Sequence, residues 1–295
     1  MMSYIFREKI SDRFRFLYGR KLYKYLSSRS PNIYLKHNDI ISLNQTVLGS
    51  HEPHIEDFIR NCSQTHFDFF IDIGANIGIT SVLVGNGFRR IDCIEPNPQV
   101  ADILSVNLSL NFANEKFQVH RIGLGLNNST QKLRIPRDNF GGAQVIGNNP
   151  LKDISEIDPG DSTDVEIDLK DSASWFSDIF RDYMSLNFKR GIVKIDVEGY
   201  EAIVLEGLLN ALPSKLSVIV ILENWFPTFN TSRFNSNKHG VSWFYFKRRK
   251  RGLASIPFKL LGLSGIFEDE LVHLDGSILN PHDVVCFLDS SNDGE

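Results

Sequence analysis

Cysteine is scarce. Cys62, Cys93 and Cys286 are the only three in 295 residues, and none has metal-ligand spacing. An odd, sparse set excludes a disulfide framework and reads as free thiols of a reducing compartment. Cys93 and Cys286 lie inside apolar strand-like runs and are expected to be buried and inert. Long apolar runs are also missing. No stretch approaches the roughly 20 residues that cross a bilayer. The N-terminus scatters charge through the place where a secretory signal would be apolar. These absences predict a protein made and kept in the cytoplasm. Positive charge is not in surplus either: a net charge of −4 argues against nucleic acid as a whole-surface partner. No internal repeat is visible.

With 42% hydrophobic and 23% charged residues, the chain can bury a sizeable core. From residue 67 onward it alternates strand-like and helix-like segments. FDFFIDI (67–73), IDCIE (91–95), FQVHRI (117–122), GIVKIDV (191–197), SVIVILE (217–223) and VVCFLD (284–289) read as strands. Helices are expected over about 77–86, 98–110 and 200–209. Near-continuous apolar strands separated by helices predict an α/β fold with an open, mostly parallel, Rossmann-like sheet. Residues 124–170 break the rhythm with Gly, Asn and Asp clusters, and read as an inserted hairpin or β-ribbon. The predicted organisation is a basic helical extension over 1–45, one domain over 46–290, and a frayed tail over 291–295.

FFIDIGANIGIT (69–80) is the first informative stretch. Asp72, Gly74, Asn76 and Gly78 fall at alternate positions where the first strand ends. Glycine permits a tight strand-to-helix turn and a close approach to the backbone. The G-x-G-x-x-G fingerprint of nicotinamide enzymes is absent, and D-x-G-x-N-x-G stands in its place. A carboxylate beside the turn repels a pyrophosphate and attracts a cation. S-adenosylmethionine carries both an ammonium and a sulfonium. Glu95 ends the second strand, where acidic residues of dinucleotide folds accept hydrogen bonds from ribose hydroxyls. The competing reading is a plain strand–helix turn with incidental polar residues.

VKIDVEGYEAIVLEGL (193–208) is the second. Residues two apart on a strand share a face, so Lys194, Asp196 and Glu198 are expected to point together if the strand extends that far. An ammonium in an apolar strand needs a partner or a task. Glu201, in the first turn of the next helix, suits the helix dipole. A structural ion pair between Lys194 and Asp196 competes with a catalytic role, since ion-pair networks resemble active sites.

FFIDIGANIGIT, CIEPNP and KIDVEGYEAIVLEGL, in this order and spacing, resemble the FkbM family of S-adenosylmethionine-dependent methyltransferases. The resemblance covers about 50–225, with GSHEPHIEDFI (49–59) similar to the family's Gly-x-x-Glu-Pro segment and FGGAQV (140–145) to its glycine-containing one. It implies the seven-stranded class I methyltransferase sheet with helices on both faces. It also implies S-adenosyl-L-methionine as cofactor and O-methylation of a hydroxyl on a sugar, polysaccharide or polyketide. Asp72, Gly74, Asn76, Gly78, Glu95 and Glu52 are the expected cofactor-binding residues. Asp196 is the first candidate base, Glu198 the second, and Lys194 orients Asp196 or holds the acceptor's oxygen. His51 and His54 flank the Glu52–Pro53 step and could close over the cofactor, a solvated loop histidine being the commoner outcome, and Glu223 and Asn224 end the strand SVIVILE and could reach the acceptor, capping being the plainer role. No essential metal is expected, since no His/Cys spacing supports one.

Residues 1–30 carry eight Lys/Arg against two acids, with seven Phe/Tyr interleaved, and Lys247 to Arg251 are five successive basic residues. Each reads either as a solvated or packed helix face or as a contact with anionic lipid. The second reading predicts a cytoplasmic enzyme visiting the membrane to modify a lipid-linked glycan. Rival functions are a nicotinamide oxidoreductase and a non-catalytic protein keeping a cofactor fold. A nucleic-acid amino methyltransferase is a weaker rival, because Asp-Val-Glu-Gly follows the fourth strand where Asn-Pro-Pro-aromatic would stand.

Overall fold

The computed structural model describes residues 52–137, 139–146, 159–223, 238–250, 267–274 and 283–290, together with 32–36, 39, 41, 42, 45, 233, 234 and 236. The N-terminal basic segment, His51, Asn224, Arg251 and the tail over 291–295 lie outside these residues.

The first half of the chain lays down α1 (Pro53–Ser63), β1 (Phe69–Ile73), α2 (Ile79–Val84), β2 (Arg90–Ile94), α3 (Pro98–Asn111) and β3 (Phe117–His120). Proline at the first helical position starts both α1 and α3, where its missing N–H costs nothing. At α3 the Asn97 side chain also accepts from the Gln99 N–H. Next come β4 (Gly123–Gly125), β5 (Ser129–Pro136), β6 (Gln144–Ile146), β7 (Ser162–Asp171) and α4 (Ser172–Ser185). The chain then forms β8 (Arg190–Ile195), α5 (Glu201–Ala211), β9 (Ser217–Glu223), β10 (His239–Lys250), β11 (Phe267–His273) and β12 (Asp283–Ser290).

The main sheet has the order β11-β10-β12-β9-β8-β1-β2-β3. The five strands from β3 to β9 run parallel, while β12, β10 and β11 join antiparallel. This is the α/β sheet expected, with eight strands among the described residues instead of seven. Every residue of β1 is buried, because both faces of a parallel sheet are covered. Phe69, Ile71 and Ile73 face a core shared with α4 and α5, including Phe176, Phe180 and Leu205. Phe70 faces the opposite core with Ile59, Val82 and Leu104 from α1, α2 and α3. Asp72, two residues from Phe70, belongs to that second face.

Three expectations are corrected. The segment 124–170 is no simple ribbon: β4, β7, β5 and β6 form their own four-stranded sheet. Its inner residues Leu133, Ile167 and Leu169 join the main core. Second, β8 stops at Ile195, one residue short of Asp196, although the Asp196 N–H still donates to the Ile73 carbonyl at 2.9 Å. Third, Lys247 to Lys250 lie on a strand, not a helix face. The register sets Lys247, Arg248 and Arg249 opposite Glu270, Asp269 and Glu268.

Candidate active site

Parallel pairing puts the carboxyl ends of β1, β2, β8 and β9 side by side at the point where strand order reverses, the place where open α/β sheets hold ligands. A cavity of about 450 Å³ opens there. Glu52, Asp72, Glu95, Asp196, Glu198 and Glu223 contribute carboxyls to its wall, and Lys194 is the one cationic side chain among its described lining residues.

The β1 turn is shaped by chain-to-chain contact. Gly74 has φ +82°, and a Cβ there would lie 1.8 Å from the Asp196 carbonyl oxygen. Only glycine lets the ends of β1 and β8 touch in this way. Gly78, at φ +83°, turns its vacant side toward Leu104 on α3, 2.6 Å from an added Cβ, and does not line the cavity. Gly74 and Asn76 do line it. Asn76 is left-handed at φ +51°, which asparagine tolerates, and its side-chain oxygen accepts from the Ile77 N–H at 2.7 Å.

The Asn76 N–H donates to Glu95 Oε2 at 2.9 Å, and the Asn97 N–H donates to Glu95 Oε1 at 2.8 Å. Burial pushes the Glu95 carboxyl up to about 7 against these two N–H groups, with Asp72 and Asp196 adding repulsion. Each of its oxygens keeps a lone pair for a hydroxyl. Asp72, 1% exposed, accepts from the Ser81 hydroxyl at 2.6 Å through Oδ2, while Oδ1 is buried without a hydrogen-bond partner. Burial raises its pKa, and Lys194 opposes the rise.

Lys194 pairs in register with Asp72 across β1 and β8. Its Nζ lies 2.6 Å from Asp196 Oδ2 and 3.2 Å from Glu52 Oε2. Burial works against the ammonium, but Asp196, Glu52 and Asp72 outweigh it and hold Lys194 charged. Thus Lys194, Asp196, Asp72 and Glu52, 144 residues apart at the extremes, meet at one point. Glu198 follows in the loop before α5.

For Glu223 the sequence leaves open both reaching the acceptor and capping the loop, with capping slightly favoured. Glu223 lies beside Asp196 across β8 and β9, hydrogen-bonded to it, and burial followed by the Asp196 charge pushes its pKa up to about 8. Asp283 was missed altogether. It faces Glu223 across β9 and β12 and binds His54 Nε2 through Oδ2 at 2.8 Å. The histidine ring packs edge-on against Phe246 at 5.2 Å. No local pattern marks Asp283, because it reaches the site only through strand pairing. Glu201 stands in the first turn of α5 as expected, with its side chain fully buried, and burial pushes its pKa up to about 8.

The profile of the Methyltransferase FkbM domain matches residues 72–250. The chain belongs to the FkbM methyltransferase family. A curated relative, "Methyltransferase sdnD" of Sordaria araneosa, is 28% identical over 179 residues, covering 54% of this chain and 67% of the relative. Among solved structures, the chain is similar to the SAM-dependent methyltransferase from Agrobacterium tumefaciens, at 6% identity and TM-score 0.40, covering 81% of this chain and 62% of that one. It is also similar to the SAM-dependent O-methyltransferase from Thermotoga maritima, at 11% identity and TM-score 0.37, covering 82% and 67%. This FkbM-family protein is a methyltransferase, and its methyl donor is S-adenosyl-L-methionine.

The pocket suits that donor. A buried acceptor without a partner at Asp72 Oδ1, in a wall of six carboxyls and one ammonium, has capacity for a cation. Among the described residues, no helix is long and apolar enough to cross a membrane, and no three His, Cys, Asp or Glu side chains group as a metal site.

Proposed function

We propose that this FkbM-family methyltransferase methylates a hydroxyl oxygen, on a sugar of a polysaccharide or lipid-linked glycan. One observation carries the reading: Asp196 is fixed at 2.6 Å by a buried lysine, on the cavity wall next to the β1 turn. A carboxylate held there can take the proton of an attacking hydroxyl, a contribution of roughly 100- to 10,000-fold. The surrounding acids also supply acceptors for the other hydroxyls of a polyol.

When bound, S-adenosylmethionine supplies an electrophilic methyl on a cationic sulfur. The residues of this chain do the rest. Asp72 and Glu52 offer negative charge to the donor's cationic groups, and Glu95 offers lone pairs to its ribose hydroxyls. Asp196 removes the acceptor's proton, Lys194 holds Asp196 in place, and Glu198 lines the acceptor's side. Alignment of the acceptor in a dry pocket contributes up to about 7–11 kcal/mol.

A second acceptor class has its own support. Leu133, Val145, Ile167 and Leu169, from the inserted sheet, give the cavity an apolar wall. Such a wall fits a polyketide or another small-molecule hydroxyl. Transfer of labelled methyl from S-adenosylmethionine to panels of oligosaccharides and of polyketide alcohols separates the two. Label in the oligosaccharides is the expected result, and label confined to the second panel overturns the glycan reading. Asp196→Asn is expected to lower kcat about 100- to 10,000-fold with donor affinity changed only a few-fold. Unchanged turnover would remove Asp196 as the base.

A further inference from the structure

Two carboxyls in direct contact cannot both ionise cheaply. Asp196 and Glu223 are such a pair: they follow the matched residues Ile195 and Leu222 on adjacent strands, are hydrogen-bonded to each other, and both line the cavity. Titratable groups from several elements surround them. β8 and its following loop bring Lys194 and Glu198, β1 brings Asp72, the end of β2 brings Glu95, α5 brings Glu201, β12 brings Asp283, and the start of α1 brings Glu52 and His54. Lys194 is bound to Asp196 itself, which biases Asp196 toward the ionised form and leaves the proton on Glu223.

We propose that Asp196 and Glu223 hold one proton between them, and that entry of the cationic methyl donor expels it, leaving Asp196 ready to act as base. Glu223 is therefore a positioning residue acting through Asp196. This rests on the donor and base assignments made above. The charge balance closes. S-adenosylmethionine has a net positive charge from its sulfonium and ammonium against one carboxylate. Its entry breaks the Glu223 O–H bond, and the proton passes to solvent. After methyl transfer the product's sulfur is neutral, so the pocket again favours a protonated pair. The proton it regains is the one lost by the acceptor hydroxyl. With Glu223 near 8, the pair is mostly protonated at pH 7 in the donor-free protein.

The test compares S-adenosylmethionine with its product S-adenosylhomocysteine, whose net charge is zero, by calorimetric titration of the full chain at pH 7 in two buffers of different ionisation enthalpy. S-adenosylmethionine is expected to release more than about half a proton beyond the homocysteine ligand. Glu223→Gln should abolish that excess while both ligands still bind. A second measurement needs no variant. In the wild type, the affinity ratio of the two ligands should rise close to tenfold per pH unit between pH 6 and 7 and flatten above about 8. A flat ratio, or an excess unchanged in Glu223→Gln, overturns the proposal. Failure of the wild type to bind either ligand overturns the donor assignment beneath it.

Discussion

Among the described residues, Glu201 is a carboxyl with no cation beside it. Its Oε1 accepts from the Gly199 N–H at 3.2 Å, and its Oε2 is buried without a partner. Burial lifts it from 4.5 to about 8. A carboxyl raised on folding stabilises most below its unfolded value, and that contribution is lost as pH rises through the folded one. Glu201→Gln keeps an acceptor for Gly199 and cannot ionise. Urea denaturation should therefore show the variant gaining on the wild type between pH 4.5 and 8, then holding a constant lead. Lys194 is the opposite case. Lys194→Met leaves Asp196, Glu52 and Asp72 uncompensated and should cost about 3–5 kcal/mol in the same assay at pH 7. Residue types at this scale were legible in the sequence: the Lys194–Asp196 pairing followed from strand alternation alone. Protonation was not legible, because it depends on how much of the fold lies above each carboxyl.

Two element junctions hold the site's floor. The β1 and β8 ends meet at Gly74, where an added methyl would overlap the Asp196 carbonyl in a left-handed backbone. Gly74→Ala should cost at least about 2 kcal/mol in chemical denaturation and weaken donor binding in the same preparation. On the opposite face, β2 is tied to α4 and β3 through Asp92. It accepts from the Tyr183 hydroxyl at 2.6 Å, from Arg90 Nε at 2.9 Å, and contacts His120 Nε2 at 2.8 Å. Burial opposes its charge, but these three partners hold its pKa below 3.8. The stability it confers is present above 3.8 and lost as pH falls through its lower folded value. Tyr183→Phe should cost about 1–3 kcal/mol at pH 7, read by thermal or urea unfolding. The strands that carry these junctions were legible from their apolar runs. The inserted sheet was not, because β5 and β7 are joined through residues 137–161 and their pairing leaves no local mark. The basic strand β10 was misread because its pairing with β11 leaves no local mark in the sequence.

At the scale of the molecule, strand order departs from chain order at one place that matters. β12 lies between β9 and β10, so the last described strand is interior to the sheet. Sequence periodicity found β12 and β9 but not β10 or β11, since parallel and antiparallel partners are chosen by tertiary packing. Removing residues 281–295 should expose the β9 edge and strip β10 and β11 of their anchor. Such a chain is expected to accumulate in the insoluble fraction, and a soluble, monodisperse product would count against this topology.

The interior position of β12 bears on synthesis. The glycine turn and its acidic companions leave the ribosome before Asp283, which reaches Glu223 only when β12 enters between β9 and β10. A growing chain that stops short of β12 therefore leaves the edge of β9 unpaired, and the Asp283–Glu223 register forms only once β12 has been made.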